Sequence, residues 1–85
     1  MSIVLWRSDA SAFSTVVASQ LEDAIKLVKN VPLLAQIDFD KSPNTARRFG
    51  VRRVPYIMLF VNGMAMAAEF DPNQFLSAAH MWLHA

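Results

Sequence analysis

Residues 47–63 read RRFGVRRVPYIMLFVNG, and this stretch holds most of the fold information in the chain. Gly50 stands where a short helix would end, because glycine readily takes the left-handed conformation that closes a helix. Val54–Pro55 precedes the apolar run Tyr56–Val61, and Asn62–Gly63 is the pair typical of a two-residue type I′ hairpin. The order therefore predicts a helix end, a loop, a strand and a tight turn into an antiparallel strand.

Two strands and two helices are predicted upstream of this stretch. The apolar run Ile3–Trp6 suits a short, central strand that ends at a polar break. Residues 11–29 predict an amphipathic helix, since apolar side chains recur along one face at steps of three and four; they are Phe13, Val16, Val17, Leu21, Ala24, Ile25 and Val28. Such a helix is a normal crossover, so the second strand, Leu33–Phe39, is expected to pair in parallel with the first. Ser42 then caps a short helix over Pro43–Phe49.

One more strand and one more helix are predicted downstream. Met64–Phe70 is expected to pair antiparallel with Tyr56–Val61 across the Asn-Gly turn. Asp71 caps the last helix and Pro72 takes its first position. Its buried stripe is expected to contain Phe75, Leu76, Ala79, Trp82 and Leu83. The complete order is βαβαββα, an α/β arrangement.

The composition is that of one folded domain spanning residues 1–85. Hydrophobic residues make up 54% of the chain and charged residues 18%, which excludes a disordered segment. The longest apolar runs fall far short of the ~20 residues that a membrane helix needs. The N-terminal residues lack the pattern of a secretory signal. We therefore expect a cytoplasmic protein with no membrane partner.

The chain contains no cysteine, which excludes disulfides, thiolate metal sites and cysteine nucleophiles. His80 and His84 lie four residues apart on the last predicted helix, but no further ligands accompany them, so a surface pair is favoured over a metal site. Asp38 and Asp40 are interpreted as ordinary strand-end and turn residues. The sequence predicts no metal and no cofactor.

Three segments of the chain resemble the thioredoxin family. They are QIDFD at Gln36–Asp40, ARRFGVRRVP at Ala46–Pro55 and FVNG at Phe60–Gly63. These segments are similar to the family's Asp-bearing strand end, its aromatic-Gly-Val step followed by Val-Pro, and its Phe-x-Asn-Gly turn. The resemblance covers nearly the whole chain. It implies a minimal thioredoxin-like fold, βαβαββα, with a mixed four-stranded sheet flanked by helices and without the extra N-terminal strand and helix of full-length thioredoxins.

The resemblance also assigns a role to Val54–Pro55. In the family this proline is cis, which implies a cis bond here and a Val54 backbone that is offered to an extended peptide. The residues by themselves would favour a trans proline at the start of a strand.

Thioredoxins and glutaredoxins carry Cys-x-x-Cys at the start of the first helix, where this chain reads WRSDASAFS from Trp6 to Ser14. One alignment places Ser11 and Ser14 on the cysteine positions, and the other places Ala10 and Phe13 there. We prefer the first, because Ser11 then caps the helix where a cysteine would have a lowered pKa. A serine hydroxyl cannot take part in disulfide exchange, so the chain as written is not expected to be an oxidoreductase. The alternative is that the paired serines replace cysteines in a redox protein.

Four arginines, Arg47, Arg48, Arg52 and Arg53, place half of the eight basic residues beside Pro55, although the net charge is only +1. The first two are typical of a helix C-terminus, where cations interact favourably with the helix dipole. The last two lie in the loop and are better candidates to bind an acidic peptide, a carboxylate or a phosphate. No broad basic face or aromatic platform predicts nucleic-acid binding.

These observations predict a redox-inactive thioredoxin-like domain that binds an extended segment of a protein partner, as an adaptor or a chaperone-like module. No catalytic residue is predicted, and the binding residues would be Ser11, Ser14, Arg52, Arg53, Val54 and Pro55. The alternative function is a thioredoxin- or glutaredoxin-like disulfide oxidoreductase whose cysteines are replaced by Ser11 and Ser14. A glutathione-binding or serine-using enzyme is disfavoured, because no glutathione-anchoring pattern follows the last strand. The apolar excess is compatible with a homo-oligomer.

Overall fold

Eight elements follow one another along residues 1–85 in the computed structural model. They are β1 (Ser2–Arg7), α1 (Ala12–Ile25), β2 (Leu33–Asp38), α2 (Pro43–Arg48), β3 (Tyr56–Val61), β4 (Met64–Glu69), α3 (Pro72–Ala78) and α4 (His80–Leu83). The strands form one four-stranded sheet in the order β2-β1-β3-β4. β1 pairs in parallel with β2 and antiparallel with β3, and β3 pairs antiparallel with β4. The predicted mixed α/β sheet flanked by helices, with β1 inside it, is confirmed.

One face of the sheet carries the larger of two apolar cores. Alternate side chains of a strand point to opposite faces, and Ile3, Leu5, Ile57 and Leu59 of the two inner strands point to this one. They pack with residues of α1, α3 and α4 in a cluster of 11 buried residues, which we call the large core. Helices cover this face, and 11 of the 15 buried hydrophobic residues of the chain lie here.

The opposite face carries a smaller core. Trp6 of β1 and Met58 of β3 pack with Ala46 of α2 and Val51 of the following loop, and these four buried residues form what we call the small core. Six further hydrophobic residues around it are only partly buried. The two inner strands are thus apolar on both faces, as is usual for strands that are covered on both sides.

Helix α1 is shorter than predicted. It ends at Ile25 with Lys26 as its C-cap, rather than at Lys29. The chain then turns towards α4, because the backbone N–H of Asn30 donates a hydrogen bond to the carbonyl oxygen of Leu83 at 2.8 Å. The Asn30 side chain donates to the carbonyl oxygen of Trp82 at 3.0 Å. These tertiary hydrogen bonds, which local periodicity does not contain, take the place of a last helical turn.

The prediction that Phe13 and Val16 face the core is wrong, since they are 58% and 50% exposed. The buried stripe of α1 consists of Ser14, Val17, Ala18, Leu21 and Ile25. Successive helical residues are rotated by about 100°, so Val16 points away from the stripe that contains Val17 and Ala18. Packing against the sheet selected Val17 over Val16.

The predicted hairpin is confirmed, with φ of 52° at Asn62 and 79° at Gly63, the positive values that a type I′ turn requires. An irregularity lies between Leu59 and Phe60, which pair with Ala67 and Ala65, so that the intervening residue of β4 bulges. A bulge leaves one residue of an edge strand out of register and increases the local twist.

The remaining differences are at element ends. The single last helix of the prediction is two short helices, α3 and α4, that meet at Ala79. Within its stripe Phe75, Ala79 and Leu83 are buried, whereas Leu76 and Trp82 are partly buried. Strands β2 and β4 and helix α2 each end one residue earlier than predicted. None of the helices has the length and apolar character needed to span a bilayer.

Candidate functional site

Four loops meet at one end of the sheet. Trp6 of β1 lies opposite Tyr56 of β3, so the end of β1 adjoins the start of β3. Arg7 lies opposite Asp38, so β2 ends beside β1. The end of β4 adjoins the start of β3 in the same way. The loops after β1, β2 and β4 and the loop before β3 therefore share this end, which we call the loop end. The predicted site residues lie in the loop after β1, at the start of α1 and in the loop before β3.

Ser11 opens helix α1 at the loop end. Its side-chain oxygen accepts a hydrogen bond from the backbone N–H of Ser14 at 3.2 Å, as an N-cap does. Its own backbone N–H donates to the carbonyl oxygen of Ser8 at 3.0 Å. The predicted capping role of Ser11 is confirmed, and this residue is partly exposed beside the loops.

Ser14 is fully buried, and its hydroxyl has no hydrogen-bond partner. Its side chain cannot touch a partner molecule in this structure, which corrects the expectation that Ser14 is a contact residue. A buried hydroxyl without a partner destabilises a fold by about 1–3 kcal/mol. A cysteine thiol at the same place would behave as a small apolar group and would not need a partner. The environment of Ser14 thus suits a thiol better than a hydroxyl.

Ser8 and Asp40 form a link that no sequence motif predicts. Ser8 is 4% exposed, and its hydroxyl donates a hydrogen bond to an Asp40 carboxylate oxygen and accepts one from the N–H of Ala10 at 3.2 Å. The link joins the loop after β1 to the loop after β2. The turn role predicted for Asp38 is confirmed, since its carboxylate accepts from the backbone N–H groups of Asp40 and Lys41. The available signal was that polar residues follow the ends of two neighbouring parallel strands.

Arg53 contacts an aromatic ring at the loop end. Its guanidinium carbon lies 4.1 Å from the centre of the Phe70 ring, in cation–π contact. Phe70 in turn packs against Tyr56, with ring centres 4.7 Å apart. Arg52 and Arg53 are both exposed. The loop before β3 and the loop after β4 are therefore joined through one arginine and two aromatic rings.

Val54 and Pro55 precede β3, and the peptide bond between them is cis. Pro55 is buried, and the Val54 side chain packs against the small core. The backbone N–H and C=O of Val54 make no backbone hydrogen bond within the chain. An added strand can pair with free backbone groups of this kind, and the anchored side chain holds them in place.

Arg47 and Arg48 lie in the last turn of α2, as predicted. Arg47 donates a hydrogen bond to the side-chain oxygen of Asn44 at 2.5 Å, and both arginines are exposed. A groove of about 350 Å³ lies elsewhere, between the end of α1 and helices α3 and α4. Leu27, Val28 and Leu76 are among its lining residues, which include none of the predicted site residues.

The sheet order, the helix capped by Ser11 and the loop before Pro55 together define a thioredoxin-like α/β domain. The thioredoxin family model matches residues 12–79, and the chain belongs to the thioredoxin family.

Named relatives agree with this assignment. The chain is 36% identical over 47 residues to thioredoxins of Buchnera aphidicola subsp. Baizongia pistaciae and Rickettsia typhi. These matches cover 55% of this chain but only 43% and 38% of the two relatives, less than half of their length. The structure is similar to that of thioredoxin 1 from Thermosipho africanus, with a TM-score of 0.83 over 98% of this chain and 94% of that one. The sequence identity to that protein is 14%, so this likeness concerns the fold.

Proposed function

We propose that this thioredoxin-family chain binds an extended segment of a protein partner at the loop end and does not exchange disulfides with it. The observation that carries the proposal is the free backbone of Val54, which has no hydrogen-bonded backbone partner in the chain. An extended segment alongside Val54 would supply the missing donor and acceptor, as in β-strand addition. Ser11 is partly exposed and Arg52 and Arg53 are exposed, on loops that flank this position.

The chemistry of the chain supports binding without exchange. Thiol–disulfide exchange proceeds by attack of a thiolate on a disulfide, and the chain contains no cysteine. In this proposal Ser14 contributes only through the start of α1, because its side chain is buried. An adaptor or chaperone-like role is the finer form of the proposal, and a cytoplasmic location stays a prediction.

A second candidate function rests on Ser14. Its buried hydroxyl has no partner, it follows Ser11 by three residues, and it lies in the first turn of α1. This is the spacing of the Cys-x-x-Cys motif, and the relatives of the chain are named thioredoxins. The second candidate is therefore a disulfide oxidoreductase whose two cysteines are replaced by Ser11 and Ser14. The names of the relatives favour this candidate over an adaptor, whereas the residues of the chain favour the adaptor.

Restoring cysteines tests the second candidate. The double variant Ser11→Cys, Ser14→Cys is expected to form an internal disulfide and to reduce insulin in the presence of dithiothreitol faster than the unchanged chain. The matched control is Ala10→Cys, Phe13→Cys, which has the same spacing one residue earlier and leaves Ser14 in place. Equal activity of the two double variants, or none in either, would remove the support that Ser14 gives to this candidate.

Backbone NMR tests the binding proposal. The probe is an unfolded polypeptide whose thiols are blocked with a neutral carbamidomethyl group, so that disulfide chemistry and added charge are absent. We expect its addition to shift the amide signals of Arg53, Val54 and Ser11. Shifts confined to Leu27 and Leu76 would place binding in the distant groove, and an unchanged spectrum would overturn the proposal.

A further inference from the structure

We infer that the segment bound at the loop end is acidic, and that Arg53 recognises one of its carboxylates. This inference rests on the proposed function, because it names the chemical class of segment that the same site would take. Its evidence is the contact of Arg53 with Phe70 and the absence of ion pairs at the four arginines of residues 47–53.

The cation–π contact leaves Arg53 ready to bind a carboxylate. The guanidinium carbon of Arg53 lies 4.1 Å from the centre of the Phe70 ring, a cation–π contact that favours this position of the side chain. The N–H donors of a guanidinium group lie along its edge, in the plane of the group, and match the two oxygens of a carboxylate. Because Phe70 is itself packed against Tyr56, part of the entropy loss that normally weakens an exposed ion pair has already occurred in the free protein.

The four arginines of residues 47–53 form no ion pair within the chain. Residues 47–53 contain four arginines and no acidic residue. The only ion pair in the structure joins Arg7 to Asp9 at 3.6 Å, so none of these four arginines has a carboxylate within 4.0 Å. The neighbouring Asp71 uses its carboxylate to cap α3, accepting from the N–H of Gln74 at 2.9 Å. Clustered unpaired cations attract and orient an anionic partner before contact.

The surroundings favour a peptide over a nucleic acid. Base recognition by single-strand binders needs aromatic faces on which bases stack. Here one face of Phe70 is covered by Arg53, and Phe70 also packs on Tyr56. Phe49 packs against Trp6 and Phe60. The free backbone of Val54 offers hydrogen bonds to an extended peptide instead.

A pair of short peptides tests the inference. Both are extended sequences with alternating Thr and Val, and they carry either Glu or Gln at the same central positions, so that only the charge differs. Fluorescence anisotropy of the labelled peptides measures their affinity for the full chain at low salt and at physiological salt. We expect the Glu peptide to bind about fivefold more tightly at low salt, with a smaller difference at physiological salt because added ions screen exposed charges.

Three variants and one control assign the preference to Arg53. Arg53→Gln is expected to abolish the preference for the Glu peptide, and Arg53→Lys to reduce it, because lysine keeps the charge but has no planar fork. Phe70→Leu keeps every charge and removes the ring, so it is expected to reduce the preference about twofold through the lost stacking. The control Lys26→Gln removes one positive charge at the far end of α1 and is expected to leave the preference unchanged. Circular dichroism of each variant checks that it is folded.

The outcomes separate this inference from the proposed function. Equal binding of both peptides, at the NMR site of Val54, would overturn the acidic preference and leave the proposed function standing. Binding of neither peptide would overturn both. Loss of the preference in Lys26→Gln as well as in Arg53→Gln would show a general charge effect and contradict a role of Arg53. Inorganic tripolyphosphate and the unlabelled Glu peptide can each be tested as competitors of the labelled peptide. If tripolyphosphate competes more strongly, the site prefers a phosphate, and a peptide is ruled out as the source of the negative charge.

Discussion

The two faces of the sheet are covered to different extents. Helices α1, α3 and α4 cover one face and enclose the large core of 11 buried residues. The other face has only the six-residue helix α2 and the loop after it, with four buried residues in the small core and six partly buried ones around it. Trp6 and Val54, which lie next to the loop end, belong to the side with the smaller core. The face that contributes most to stability is therefore separate from the face that supports the candidate site.

This separation allows residues of the candidate site to change while the fold is kept. The serines at the start of α1 and the arginines before Pro55 lie in loops and at element ends, where a change of residue leaves the large core intact. Apart from Ser14, which is buried, these residues contribute little to the buried apolar area. Substitutions of these residues are therefore expected to change stability less than truncations in the large core do.

The largest expected effect comes from truncating adjacent residues of β3. Leu59 is fully buried in the large core, and Met58 is 5% exposed in the small core. We expect Leu59→Ala to lower the free energy of unfolding by about 4 kcal/mol and Met58→Ala by about 2 kcal/mol, because a site that can relax towards solvent leaves a smaller cavity. Urea denaturation followed by circular dichroism measures both. Equal losses, or a greater loss for Met58→Ala, would remove the energetic difference between the two faces.

A smaller effect is expected from the link between two loops. Ser8→Ala removes the hydrogen bond to Asp40 and is expected to lower the free energy of unfolding by about 2 kcal/mol, since the acceptor is a charged group. The control Ser19→Ala changes an exposed serine of α1 and should alter stability by less than about 0.5 kcal/mol. A double-mutant cycle with Asp40→Ala measures the coupling. If the two substitutions are strictly additive, the interaction between Ser8 and Asp40 contributes nothing to the free energy of unfolding.

The smallest effects concern the two serines and have opposite signs. Ser11→Ala removes the N-cap of α1 and should lower the free energy of unfolding by about 1 kcal/mol. Ser14→Ala removes a buried hydroxyl that has no partner and should raise it by about 1 kcal/mol. Thermal unfolding of both variants under the same conditions checks the two signs. A destabilising Ser14→Ala would show that this hydroxyl has a partner in solution and would weaken the second candidate function.

Local patterns predicted the hairpin and the caps of α1 and α3 because each depends on residues that are close in the chain. The predicted cap of α2 is wrong, since Ser42 precedes that helix but its side chain makes no capping hydrogen bond. Asn62–Gly63 meets the positive φ values of its turn, and both Ser11 and Asp71 accept the hydrogen bonds of N-caps. Periodicity was less reliable for α1, where Val16 and Val17 are equally apolar. Only contact with the sheet decided which of them is buried.

Contacts between loops could not be predicted from the sequence, because they also depend on how the strands pack. Ser8 and Asp40 are 32 residues apart, and Arg53 and Phe70 belong to loops on either side of the hairpin. Neither pair has a signature in sequence spacing, because each depends on which strands lie side by side. The sequence indicated which arginines lie near Pro55, but the aromatic ring that holds one of them became visible only in three dimensions.

The amino-acid sequence by itself determined the order of strands and helices, the family resemblance and the absence of thiol chemistry, since these follow from local propensity, short motifs and composition. Tertiary structure alone decided that Ser14 is buried without a partner, that Val54 keeps its backbone groups free and that Arg53 stacks on Phe70. The physical reason is that burial and hydrogen bonding depend on which distant segments pack together. Segments such as the loops at the end of this sheet become neighbours only when β1 pairs with both β2 and β3.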